Sequence, residues 1–365
     1  MDTPKKKVVV AMSGGVDSSL TAALLLNQGY DVVGVTMKLW EREPQEAQNI
    51  SEKSCFAESA ADDAKSVASM LNIPHHVLDL RALFQKTVID YFCREYFQGK
   101  TPNPCVACNR YIKFEGLLEK ALSLGAQYVA TGHYARIFRD DVRGRHFLLK
   151  GVDISKDQSY VLYHLNQRAL RYFLMPLGGY TKKETREMAQ KLGLKVADKP
   201  ESQEICFIPG NDYKAFLKEK MPNAFKKGNI VDTSGKILGE HQGVQLFTIG
   251  QRKGLGMAFG KPVYVVAINP EKNEVVVGGG DDVFARAFIA DDLNFISIEE
   301  LDEPMDLDIK IRYTAPIAKA RVIPLPDGKA RVDFQKPQRA VTPGQAAVFY
   351  NGEEVVGGGT ILEVI

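Results

Sequence analysis

Residues 7–28 read KVVVAMSGGVDSSLTAALLLNQ, an apolar run, a turn opened by Ser13, Gly14 and Gly15, and a second apolar run with helical spacing. Lys7–Met12 has the pattern of a short buried strand, and Ser18–Gln28 that of a helix stopped at Gly29. A glycine turn between strand and helix is how α/β proteins hold an anion. Backbone N–H groups of the turn and of the helix N-terminus converge on the negative charge. Ser13, Ser18 and Ser19 add hydroxyl donors. The stretch fits neither G-x-x-x-x-G-K-[ST] nor G-x-G-x-x-G. Gly254–Lys261 (GLGMAFGK) approaches the first pattern, but its spacing is wrong and Pro262 stands where Ser or Thr belongs.

The alternation continues through the first half. Strand patterns fall at Asp31–Leu39, His76–Leu80 and Tyr128–Thr131, and helical ones at Phe56–Leu71, Arg81–Phe97, Lys113–Leu124 and Thr181–Leu192. The last opens with a capping box, Thr181 to Glu184. Strands alternating with helices of this length predict right-handed βαβ units and a parallel sheet. After about Gly210 the texture changes to short β-rich runs, VQLFTI, PVYVVAI, EVVVGG, DIKIRY, KARVDF, AAVFY and GTILEVI. They predict two small all-β domains, the last a barrel.

The 365 residues, 45% hydrophobic and 25% charged, are ordinary for a globular chain of two or three domains. No apolar run approaches the roughly 20 residues needed to span a membrane. The N-terminus MDTPKKKVVVAM lacks the apolar core and cleavage site of a secretory signal. A soluble, cytoplasmic protein is expected. Five cysteines, Cys55, Cys93, Cys105, Cys108 and Cys206, point to thiol or metal chemistry rather than a secreted disulfide framework. Net charge is only +2, but it is uneven. Asp281–Asp308 holds ten acids and one basic residue, and Lys310–Arg339 eight basic residues and two acids. That segment reads either as a phosphate-backbone footprint or as a solvated sheet face.

SGGVDSS resembles the pyrophosphate loop of the PP-loop ATPases, the N-type ATP-pyrophosphatase fold. These enzymes cleave ATP between the α- and β-phosphates and adenylate a carbonyl oxygen. The loop lacks a lysine, and its Asp17 suits a magnesium bridge to pyrophosphate. Further motifs follow in order: TPNPCVACN at Thr101–Asn109, TGHY at Thr131–Tyr134, KDQSY at Lys156–Tyr160, KPESQEICFIP around Cys206, FTIGQRKG at Phe247–Gly254, RY at Arg312–Tyr313 and PGQ at Pro343–Gln345. Together, over nearly the whole chain, they resemble the bacterial tRNA-specific 2-thiouridylases.

The resemblance implies a parallel-sheet PP-loop catalytic domain at 1–210, a small β-rich central domain at 211–284 and a C-terminal β-barrel at 285–365, the last two contacting tRNA. It implies ATP binding by Ala11, Met12, Ser13, Gly14, Gly15, Val16, Asp17, Ser18, Met37 and Gly132, with Mg2+. Asn103, Pro104 and Cys105 would meet the target base, the wobble uridine at position 34 of tRNA with Lys, Glu and Gln acceptors. Cys108 would be the nucleophile, and Cys206 would carry sulfur as a persulfide received from a donor protein. His133, Lys156, Asp157, Gln158, Arg312, Tyr313 and Gln345 would contact tRNA.

Many relatives have Asp where this chain has Cys105. Its acid–base role then passes to water, phosphate or Asp17-bound magnesium. Alternatively Cys105, Cys108 and Cys206 hold a [4Fe–4S] cluster with one open iron that delivers sulfide. A rival reading is a PP-loop ligase or amidotransferase acting on a small molecule, which needs no cysteine pair. Another is a tRNA-binding or redox protein that has lost catalysis, against which the intact loop argues. Cys55 and Cys93 read as packing or surface residues without a role, and His164 and His241 have none. Tyr111 and Phe114 are either base-stacking or core. No second C-x-x-C or spaced His pair supports zinc.

Overall fold

The computed structural model describes residues 4–40, 56–200, 205–257 and 260–365, so Cys55 lies outside the described residues. Contacts divide the chain into two units. The first comprises Met1–Thr87, Ala107–Gln203 and Glu353–Val355; the second comprises Val88–Val106, Glu204–Gly352 and Val356–Ile365.

The first unit is built on β1 (Lys7–Ala11), α1 (Val16–Asn27), β2 (Asp31–Lys38), α2 (Phe56–Met70), β3 (His75–Asp79), β4 (Tyr128–Ala130), a hairpin of β5 (Ala135–Asp140) and β6 (Arg145–Lys150), and β7 (Phe173–Leu174). The sheet order is β3-β2-β1-β4-β7, with every pairing parallel. β1 is central and buried on both faces, which is why its residues 8–11 are continuously apolar. Chain order runs one way from β1 through β2 to β3 and the other way through β4 to β7. The gap between the ends of β1 and β4 is therefore a topological switch point, where open α/β sheets bind ligands. Val8, Val10, Leu20, Leu25 and Val67 make the core beneath it.

The second unit holds a sheet and a barrel. β8 (Gly228–Asp232), β9 (Ile237–His241), β10 (Tyr264–Asn269) and β11 (Glu274–Gly278) pair in the order β10-β11-β8-β9 around Ile230, Val265 and Val275. β12 (Phe284–Phe295), β13 (Met305–Lys310), β14 (Ala318–Leu325), β15 (Lys329–Arg339), β16 (Ala346–Asn351) and β17 (Glu354–Val364) pair in the order β12-β15-β14-β13-β16-β17, and a β12–β17 pairing closes the barrel. Closure removes the sheet edges. Ile309, Val322, Val332 and Phe349 fill its interior.

The parallel sheet, the smaller sheet and the barrel match expectation, and four local readings change. VQLFTI is a 3-10 turn at Val244–Leu246, not a strand. The chain after Gly210 is not all-β: Tyr213–Lys220 is a helix, begun by Asp212, whose carboxylate accepts from the N–H groups of Lys214 and Ala215. The β5–β6 hairpin was not anticipated. The helix expected from Lys113 begins nine residues earlier at Pro104 and runs through a π-helical stretch, Cys108–Leu117. Asn103 starts it by accepting the Cys105 N–H at 3.1 Å, and proline suits the first helical position.

Leu20 is fully buried on α1 behind the glycine turn. Leu20→Ala is expected to lower the unfolding free energy by about 3 kcal/mol in urea titrations, through lost burial and an unfilled cavity.

Candidate active site

The turn after β1 is shaped for an anion by its backbone. Gly14 has φ +70°, and a Cβ there would run into the Ala60 carbonyl on α2, so only glycine fits. Ser18 staples the turn: its Oγ accepts from the Ser13 N–H at 3.1 Å and donates to the Gly15 carbonyl at 3.2 Å. Gly15 is the N-cap of α1 and supplies no side-chain cap. The first-turn N–H groups of this 12-residue helix thus lack the partner that a capping side chain would provide. Gly132 packs from the end of β4, where a Cβ would lie 2.9 Å from the Ser18 nitrogen. Ala11, Met12 and Val16 are buried behind the turn, and Met37 is half-buried on β2. The first unit therefore brings together the expected nucleotide residues at the switch point.

The loop lacks a lysine in sequence, but the fold supplies two. Lys182 Nζ lies 2.8 Å from both carboxylate oxygens of Asp17. Tyr134 Oη donates to the same carboxylate at 2.8 Å and approaches Thr185 at 3.0 Å. Lys182 is 8% exposed and stands at the first position of the helix Lys182–Lys191, whose capping box is formed as expected. Its own N–H donates to Asp153, holding that carboxyl below its ordinary range. On the other side, Lys199 Nζ donates to the Gly14 carbonyl at 3.3 Å and to Asp63 at 2.6 Å. Neither lysine has a local signal, being 165 and 185 residues from its partner in the turn. The capping box hints only at where the helix carrying Lys182 begins.

His133 is buried at the end of β4, with Thr131 Oγ1 2.8 Å from Nδ1 and Lys113 Nζ 3.3 Å from Nε2. Burial, and then the Lys113 ammonium, hold its pKa well below the ordinary range. The neutral ring accepts from Lys113 at Nε2, so its Nδ1–H donates to Thr131. Asp157 is also buried, and accepts from the N–H groups of Gly151 and Ser159 and the Ser159 hydroxyl. It organises the 151–159 loop, on which Lys156 is half-buried; Gln158 accepts the Tyr134 N–H through Oε1.

Cys93, Cys105, Cys108 and Cys206 are thiols. Cys93 is buried and its pKa is raised to about 11, chiefly by desolvation, which leaves it inert. Cys108 is half-buried at the start of the π-helical stretch in the first unit. Cys105 and Cys206 are exposed in the second unit. Among the described residues no three His, Cys, Asp or Glu side chains gather closely enough to hold a metal ion. Phe114 is core, packed edge-on against Phe173 at 4.8 Å, whereas Tyr111 is half-buried.

In the second unit, Asn103 caps the helix that Pro104 and Cys105 begin. Arg312 Nη2 donates to the Arg339 carbonyl at 2.7 Å, Tyr313 is exposed, and Lys310 lies over the Tyr313 ring. Part of the charge contrast is sheet pairing. Asp308 meets Lys319 at 3.0 Å across β13 and β14, Asp306 meets Arg321 at 3.9 Å, and Arg331 meets Asp333 at 2.8 Å along β15.

Family models match residues 6–210 (tRNA methyl transferase HUP domain), 214–279 (tRNA methyl transferase PRC-barrel domain) and 285–361 (Aminomethyltransferase beta-barrel domain). A tRNA-specific 2-thiouridylase of Carboxydothermus hydrogenoformans is 56% identical over 360 residues, 98% of either chain. Another, of Heliobacterium modesticaldum, is 57% identical over 98% of this chain and 93% of its own. Among solved structures, a 4-thiouridine synthetase in complex with RNA and ATP aligns over 60% of this chain and 51% of its own, at 18% identity and a TM-score of 0.34.

Two measurements probe this geometry. Lys182→Met is expected to weaken magnesium–ATP binding about ten- to a hundredfold by calorimetry, the worth of one charge-assisted contact. Acidification is expected to destabilise the protein. His133, His75, His146 and His241 all have pKa values below the ordinary 6.5 in the folded state. As pH falls through 6.5 the unfolded chain takes up protons that the folded chain does not, so stability drops. His133→Gln is expected to flatten the slope below pH 6.5 in urea titrations and leave it unchanged above.

Proposed function

The chain belongs to the tRNA-specific 2-thiouridylase family, an ATP-binding tRNA sulfurtransferase, and we propose that it replaces the C2 oxygen of the wobble uridine, position 34, by sulfur through an adenylated intermediate. The observation that carries this reading is the uncapped glycine turn flanked by Lys182 and Lys199. It is built to hold a pyrophosphate leaving group. The uridine O2 attacks the α-phosphorus of ATP, breaking the bond to the β-phosphate oxygen, and pyrophosphate stays on the turn. The N–H groups of the Gly14–Ser18 backbone donate to it, and Lys182 offsets its charge. Asp17 is the carboxylate suited to share a magnesium ion with pyrophosphate, where the ion would neutralise phosphate charge.

Sulfur arrives as a persulfide on Cys206, whose exposure suits transfer from a donor protein. The terminal sulfur attacks C2, and AMP leaves with the former uridine oxygen. The Cys108 thiolate then attacks Cys206 Sγ. That breaks the S–S bond, frees 2-thiouridine and leaves a Cys108–Cys206 disulfide. Two electrons from a thiol reductant reset the pair, which suits the cytoplasm. No described helix is long and apolar enough to cross a membrane. Arg312, Tyr313 and the 156–158 loop are assigned to tRNA, with Lys, Glu and Gln acceptors as its substrates.

Cys206→Ser and Cys108→Ser are each expected to lower 2-thiouridine formation at least about a thousandfold, by nucleoside mass spectrometry, while ATP binding persists. Activity of Cys206→Ser would point instead to a ligase-type reaction. Roughly four irons per chain in anaerobically purified protein, lost in Cys105→Asp, would replace the persulfide route by a cluster.

A further inference from the structure

The peptide that opens the glycine turn is held at both of its polar ends by side chains. Backbone pairing of β1 with β2 ends at Ala11 and Val35, and the Met12 N–H donates to the Val35 carbonyl at 2.8 Å. Beyond that point the Met12 carbonyl accepts from Thr36 Oγ1 at 2.9 Å. The N–H of the same peptide, that of Ser13, donates to Ser18 Oγ at 3.1 Å. Thr36 is buried on β2, and its Oγ1 lies 2.8 Å from Nε2 of His75, the first residue of β3. Burial, and after it His76 and Lys65, hold the His75 pKa below the ordinary 6.5, so the ring is neutral at pH 7. A carbonyl oxygen only accepts, so the single hydroxyl proton of Thr36 goes to Met12, and the proton between Thr36 and His75 belongs to the ring. A chain therefore runs from His75 Nε2–H to the Thr36 hydroxyl and on to the Met12 carbonyl. Gly34 makes room for it: a Cβ there would lie 2.6 Å from Met12 Sδ and 3.2 Å from His75 Cδ2.

From this we infer that Thr36 is a positioning residue of the glycine turn: oriented by His75, it fixes the plane of the Met12–Ser13 peptide from the neighbouring strand. A peptide unit is planar and turns as one body. Holding its carbonyl from β2 and its N–H from α1 sets the direction in which the chain enters Gly14, and with it the aim of the N–H groups that follow. Those groups are then ordered before an anion arrives, so less ordering has to accompany binding. The inference rests on the reading of this turn as the pyrophosphate site. Neither Thr36 nor His75 has a local signal in the sequence, because their partners lie 24 and 39 residues away.

The test uses the full-length chain with Thr36→Val, which keeps the shape but loses the hydroxyl, Thr36→Ser, which keeps the hydroxyl, and His75→Phe, which keeps a ring but loses the donor. Binding of magnesium pyrophosphate and of adenosine is measured by calorimetry. Thr36→Val is expected to weaken pyrophosphate about five- to thirtyfold, and Thr36→Ser less than about threefold. Adenosine should stay within about twofold in every variant, because it makes no use of the turn's N–H groups. His75→Phe should weaken pyrophosphate less than Thr36→Val does and add nothing in the double variant, since the ring acts through the hydroxyl. In the wild type, the imidazole 15N shifts should identify Nε2 as the protonated nitrogen of His75. Pyrophosphate binding unchanged in Thr36→Val overturns the inference. So does a matching loss of adenosine and pyrophosphate, which marks general damage to the fold. An Nδ1–H tautomer in the wild type also overturns it, even if no variant folds. A wild type that binds no pyrophosphate sinks the reading of the turn and the inference with it, whereas the other failures leave that reading intact.

Discussion

A carboxylate on α1 and an ammonium from the helix Lys182–Lys191, 2.8 Å apart, brace the glycine turn proposed to hold the nucleotide. Asp17 lies in the first turn of α1, directly after the glycine turn, so its position sets where the N–H groups point. Lys182 is nearly buried, and a buried ammonium is tolerated only beside a negative partner. In the ligand-free protein Asp17 is that partner. In the proposed reaction the same ammonium faces the second and larger negative charge of pyrophosphate. Tyr134, the last residue of the TGHY motif that follows β4, donates to the carboxylate and also approaches the Thr185 hydroxyl. One ion pair therefore ties together α1, the strand-end motif and a helix from late in the same unit.

The parts of this arrangement that were legible in the sequence are those dictated by local periodicity. β1, the glycine turn and α1 follow from an apolar run, glycines and helical spacing in immediate succession. The barrel strands follow from β-branched alternation between turn residues. Lys182 and Lys199 were not legible, because a lysine near a capping box or a proline resembles any surface lysine until the chain is folded. The backbone contacts of Asp157 and Gln345, the latter with the Thr101 carbonyl, were not legible for the same reason, since their partners become neighbours only in the fold. The early helix start at Pro104 was overlooked because Asn-Pro reads as extended, although the same dipeptide is an N-cap followed by the first helical position. VQLFTI has strand composition, but Gly243, with φ 157°, and a 3-10 turn displace it.

The charge contrast in the barrel shows how topology divides one signal between two uses. β13 and β14 are antiparallel neighbours, so acids of one meet bases of the other in register. Such exposed pairs contribute less than about 1 kcal/mol each, and their main effect is to reduce the positive field of the strand face. Lys310, Arg312 and Tyr313 lie where β13 ends, beyond these pairs.

The glycine turn is proposed to serve cleavage between the α- and β-phosphates, with the nucleotide activating a tRNA carbonyl oxygen. The most direct measurement follows doubly labelled ATP in a single turnover with unmodified tRNA and a sulfur source. The products expected are AMP and pyrophosphate, one of each per thiolated uridine, formed only when tRNA is present. ADP and orthophosphate, or AMP formation independent of tRNA, would contradict the adenylation chemistry assigned to this site.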